Sequence, residues 1–147
     1  MSTPAAHEWR TSAALVQAQL LATLARLEQG TGTASVRLFA TPRPEVLGTL
    51  PEEYLADIPL ASPAGAVDAG VLVLHPASPA GAMVLQTGVP RWGVLLAADG
   101  AVLAEGGVTA EGGGGCFEVG GGTVADGEAA PTFYAGGLLT LTGTALT

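Results

Sequence analysis

The placement of glycine and proline divides this chain before any other feature is weighed. Neither residue occurs between Pro4 and Gly30, whereas from Gly32 onward they interrupt the sequence repeatedly. Inside an α-helix these are the two least tolerated residues, by about 1 kcal/mol for glycine and about 3 kcal/mol for proline. A helix of any length is therefore confined to the first 30 of the 147 residues. The rest of the chain can form only short extended runs joined by turns.

Within the first segment, Ser2-Thr3-Pro4 offers a capping hydroxyl ahead of a proline, and Gly30 stands where a helix C′ glycine belongs. Ala6, Trp9, Ala13, Val16, Leu20, Thr23 and Leu27 recur at spacings of three and four, with Leu24 beside the seam. This pattern predicts an amphipathic helix of up to about 25 residues. Its stripe must be buried, and the spacing leaves two places open: the chain's own β region, or the same stripe on other copies. Trp9, Val16, Leu20, Leu24 and Leu27 are the candidate contact residues of a homo-oligomer. Gly30-Thr31-Gly32-Thr33 reads as a flexible joint, giving a helical unit 1–30 and a β domain 31–147 that folds without it.

The β region parses from its punctuation. Ser35 to Phe39 alternates and stops at Thr41-Pro42-Arg43-Pro44, because a proline cannot donate to a central strand. Tyr54 to Leu60 and Ala69 to Leu74 read as strands joined by a turn at Ser62-Pro63-Ala64-Gly65, and a short run spans Ala82 to Gln86. The clearest hairpin is Arg91 to Ala98 and Ala101 to Glu105 around Asp99-Gly100, the dipeptide favoured by a two-residue type I′ turn. That loop would set Leu96 opposite Leu103 and Ala97 opposite Val102, with both faces apolar. Two glycine-rich loops flank the short run Cys116 to Val119, and Leu138 to Leu146 alternates cleanly. About eight short strands with no helix between them predict an antiparallel β-sandwich or barrel preceded by one helix.

Composition excludes several function classes. With 5 basic residues, none of them lysine, against 13 acidic ones, the net charge is −8. Such a surface repels phosphates, so neither nucleic acid nor an anionic membrane is an expected partner. No apolar run reaches the ~20 residues that span a bilayer, and no basic stretch precedes an apolar one at the N-terminus, so no secretion leader is expected. A hydrophobic share of 48% predicts a folded core.

The residues that could carry chemistry each have a plainer explanation. Gly112 to Gly115 invites a phosphate-cradle reading, but no Gly-Lys-Ser/Thr and no helix pattern come after it. A loop is the simpler reading. Cys116 has no sequence-adjacent base, since His7 lies in the helical segment and His75 at a strand end. Glu52 and Glu53 are neighbours that would point apart in a strand, so they cannot share an acid–base site. Asp57, Asp68, Asp99 and Asp126 read as turn formers, because no Asp-x-Asp-x-Asp spacing supports calcium. No catalytic residue, cofactor or metal is expected. Trp9, Trp92, Tyr54 and Tyr134 could stack on a glycan if exposed, although burial is the commoner fate of a strand tryptophan.

Tyr54 to Ala64, Val67 to Leu72, Arg91 to Gly100 and Gly106-Gly107-Val108 together resemble a family of small virion-associated proteins of tailed bacteriophages and prophages. The resemblance spans about residues 34–147 and departs from the family's pattern at 111–122. It implies a non-enzymatic virion structural protein, a capsid, neck or tail component, made in the bacterial host cytoplasm and assembled with itself and other virion proteins. The alternative it leaves is a surface binding module, an adhesin or glycan-binding domain on a phage fibre or capsid. It transfers no catalytic or ligand-binding residue.

Overall fold

The computed structural model describes residues 7–146. It is mainly β with one N-terminal helix, α1 (Ala13–Leu27). The strands are β1 (Ser35–Phe39), β2 (Ala56–Asp68), β3 (Val71–Pro76), β4 (Ala82–Met83), β5 (Trp92–Leu96), β6 (Val102–Ala110), β7 (Phe117–Gly120), β8 (Leu138–Gly143) and β9 (Ala145–Leu146). They form one mixed sheet in the order β4-β8-β7-β6-β5-β1-β2-β3-β9. β8 and β9 are a single run broken at Thr144, yet one pairs with β7 and the other with β3. The sheet thus curls into a half-barrel whose margins are joined by the last strand.

Alternation along each strand assigns its side chains to two layers. The inner layer gathers Val36, Leu38, Ile58, Leu60, Leu72, Leu95, Phe117, Val119 and Leu139 into one core. Phe39, Trp92, Val94 and Leu96 face the other way and form a smaller outer core, covered by Leu50 and Tyr54 from the β1–β2 connection. Trp92 stacks on Phe39 with centroids 4.3 Å apart, and its indole N–H donates to the Thr41 carbonyl at 2.9 Å. The central strand β5 is buried along its whole length because both of its faces are covered.

Several expected details are corrected. The helix begins later than the apolar spacing predicts: Ser12 is its N-cap, accepting the Leu15 N–H at 3.2 Å, so Trp9 precedes the helix. The expected cap at Ser2-Thr3-Pro4 lies outside the described residues. Ser62 to Gly65 is no turn but an irregularity inside the continuous strand β2, and the chain reverses at Ala69-Gly70. Asp57 lies within β2 rather than near a turn. One pair, β6 with β7, is parallel, in a sheet expected to be antiparallel throughout.

The hairpin at Asp99-Gly100 exists with a different register. Ala97 accepts the Gly100 N–H at 2.9 Å and donates to the Ala101 carbonyl at 2.9 Å, so the loop holds three residues, Ala98 to Gly100. Leu96 therefore faces Val102, Leu95 faces Ala104, and Leu103 is the extra residue of a bulge. A type I′ turn would need positive φ at both loop positions, but only Gly100 has it here, at 89°. Ala69 and Gly70, at 50° and 80°, form the turn of that type instead.

The helix belongs to the same core as the sheet. Leu20 and Leu27 are buried among the inner-layer residues, with Val16 and Leu24 packed against them. Its C-terminus is clasped by the hairpin loop: the Ala98 N–H donates to the Leu27 carbonyl at 2.9 Å, satisfying one of the acceptors a helix end leaves open. Arg26 reaches Asp99 at 3.0 Å, and Glu28 takes the Ala64 N–H and the Ser62 hydroxyl. Gly30 is pressed so closely that an added Cβ would lie 2.6 Å from the Asp99 nitrogen. The expected flexible joint is a packed contact.

Candidate functional site: an outward helix face and a pocket at the barrel mouth

The stripe Val16, Leu20, Leu24 and Leu27 faces its own domain, which fills one of the two places the sequence left open. Trp9, the fifth candidate contact residue, is 93% exposed ahead of the helix. The opposite face is where an apolar surface remains. Ala14, Ala18, Leu21 and Ala25 succeed one another at intervals of four, three and four, flanked by Leu15 and Ala22, and all six are exposed. Leu15 and Leu21 are 45% and 48% accessible, high values for leucines in a helix already anchored on its other side. A second exposed apolar group lies on the short strand β4 and its neighbour, where Met83 stands opposite Leu138 beside Leu85 and Tyr134.

Charge is absent from the outward helix face. Arg26 is the one ionisable residue between Ala13 and Leu27, and its guanidinium is turned to Asp99. The Ala101 N–H donated to that carboxylate at 3.0 Å, together with the Arg26 pairing, holds the Asp99 carboxyl below the usual carboxylate range. Other arginines are paired likewise: Arg37 with Asp57, Arg43 with Glu105, and Arg91 with Glu128. Arg37 also lies over the Tyr54 ring at 4.3 Å. Arg37–Asp57 ties the neighbouring strands β1 and β2, Arg43–Glu105 pins a loop to β6, and Arg91–Glu128 joins two connections.

The glycine-rich loop between β6 and β7 has its own ligand already. Gly113 donates to the Ala110 carbonyl, Gly115 to the Thr109 hydroxyl and Gly114 to the Glu118 carboxylate, each at 3.0 Å. A phosphate at this loop would have to displace that internal carboxylate. The glycines serve a tight reversal: Cβ atoms on Gly113 and Gly115 would meet Thr109 at 2.7 and 2.8 Å. This compression lets β7 return beside β6 in a parallel sense after six residues, where a crossover ordinarily takes a dozen or more.

At the end of the barrel nearest this loop lies a pocket of about 230 Å³. Leu74, Leu95, Phe117 and Leu146 wall it, Thr144 faces it, and the exposed thiol of Cys116 stands at its edge. No sequence signal could have assembled it, because its walls come from β3, β5, β6, β7, β9 and two inter-strand connections. Glu105 is also in the lining, on β6. Its partner across the ladder is Val94, an outer-layer residue, so the carboxylate is turned away toward Arg43.

The remaining candidates stay separate. Glu53 accepts from the Gln86 amide at 3.0 Å at a loop edge. Among the described residues, no three His, Cys, Asp or Glu side chains gather where a metal ion could bind. No described helix is long and apolar enough to cross a membrane. Of the four aromatics that could stack on a glycan, Trp92 is buried, Tyr54 is half-buried, and Trp9 and Tyr134 are exposed, Tyr134 at 68% beside a shallow hollow lined by Gly121, Gly122 and Thr132. Comparison of the chain with family models, with curated proteins and with solved structures returns no match.

Proposed function

We propose that this chain is a non-enzymatic structural protein of a bacteriophage virion that self-associates through the outward face of α1. The observation that carries the reading is a charge-free apolar face on a chain of net charge −8. Copies of so acidic a molecule repel one another unless they meet where charge is missing. Ala14, Ala18, Leu21 and Ala25 provide that place, at a spacing that lets two helices pack closely. The helix is already held in shape by its inner stripe, so association does not bear the cost of ordering it. The apolar margin around Met83, Leu85 and Leu138 is a second surface, suited to attachment to a larger virion component.

The resemblance of residues 34–147 to small phage proteins supports the virion setting, with synthesis in the bacterial host cytoplasm before assembly. Tyr134 keeps a glycan-binding module as the second reading. Electron microscopy of the purified chain tests the first: closed rings or discrete oligomers support it. Single dispersed chains that bind a glycan array through Tyr134 favour the second.

A further inference from the structure

We propose that the pocket at the barrel mouth binds a small neutral molecule of about one ring, apolar over most of its surface and carrying a single hydrogen-bonding group. Three observations lead there, none of which depends on assembly. The first is size and lining. An apolar protein cavity of about 150 Å³ accommodates benzene; this one measures about 230 Å³ and is walled by Leu74, Leu95, Phe117 and Leu146.

The second is an unused polar group. Thr144 is 8% exposed, and its buried hydroxyl has no hydrogen-bond partner. Other buried atoms without partners, on Arg26, Arg37, Asp57 and Glu105, belong to side chains already engaged in ion pairs. Thr144 differs from all of them. Register places its side chain on the inner side: its carbonyl accepts the Leu74 N–H at 3.1 Å, and Leu146, two residues on, joins the inner core. A buried hydroxyl without a partner is costly, so a ligand offering one donor or acceptor gains at this point what it cannot gain from the walls.

The third is electrostatic. The one acidic residue in the lining, Glu105, has its carboxylate engaged by Arg43 at 3.0 Å, so no unpaired charge is left there to receive an ion. That selects a neutral ligand. Cys116 at the edge reports on occupancy, because its thiol is exposed in the free chain.

Benzyl alcohol and toluene are matched probes, differing by the hydroxyl. Titration of the full-length chain, followed by methyl NMR shifts and by the rate at which iodoacetamide alkylates Cys116, should show saturation by both, with alkylation slowed as the site fills. Thr144→Val should weaken benzyl alcohol roughly fivefold to tenfold and leave toluene within about twofold. Ala104→Leu, which fills the pocket from β6, should weaken both. Cooperative thermal melts of the two variants establish that each is folded. Saturation by neither probe in the wild-type chain, or equal weakening of both by Thr144→Val, overturns the proposal.

Discussion

Replacing Leu27 by alanine removes the most deeply seated side chain of α1. Leu27 has no exposed surface and packs among residues of the sheet, and its carbonyl is held by the Ala98 N–H. Truncating a fully buried leucine costs its transfer free energy plus that of the cavity left behind, about 2–5 kcal/mol in total. The site is boxed in by backbone on the hairpin side, where Gly30 and Gly32 already touch Asp99 and Ala98, so collapse into the cavity is limited. The upper half of that range is expected. Against the ~5–15 kcal/mol that stabilises a typical domain, this is a large fraction. For a chain of this length, a loss of about 4 kcal/mol lowers Tm by about 8–16 °C. Urea denaturation followed by circular dichroism measures it directly, with Leu21→Ala as the control on the opposite face. A loss below about 1 kcal/mol for Leu27→Ala would refute the shared core, and would restore the helix as a separable unit.

The remaining expectations rest on the same contacts. A chain starting at residue 31 lacks Leu20 and Leu27 and should lose its cooperative thermal transition, which a melt of the 31–147 fragment checks. Gly100→Val has open space around its Cβ but a φ of 89°, so strain alone should cost about 1–3 kcal/mol. Cys116→Ser, on an exposed side chain, should change the denaturation midpoint far less. The Asp99 carboxyl titrates below its unfolded value, so its contribution is present above about pH 4 and is lost as pH falls through the lower folded value. Asp99→Asn should therefore be less stable than the wild type at neutral pH, and the difference should shrink in melts at about pH 3.

What the sequence disclosed and what it concealed have separate physical causes. Glycine and proline placement sufficed for one helix succeeded by strands, because backbone permissiveness is a local property. The buried seam of the helix, Val16, Leu20, Leu24 and Leu27, was legible from its spacing, but only the tertiary structure decides that the chain's own sheet covers it. Asp99-Gly100 correctly marked a reversal, but loop length also depends on the Leu103 bulge, which leaves no mark in the residue pattern. The turn at Ala69-Gly70 was hidden because alanine rarely adopts positive φ. The parallel pairing of β7 is the work of Thr109 and Glu118 folding the glycine loop back, two contacts that no periodicity reports. The pocket is concealed for the same reason, since it exists only once the last strand joins both margins of the sheet.

Self-association through the outward face of α1 is tested most directly by light scattering of the purified chain beside Leu21→Glu. Leu21 is 48% exposed and outside the core, so the substitution should leave the fold and its melt unchanged while placing a carboxylate in the centre of the face. The expected result is a multiple of the single-chain mass for the wild type and the single-chain mass for the variant at the same concentration. A wild-type chain that stays single at every concentration, or a Leu21→Glu variant that associates as before, would contradict it.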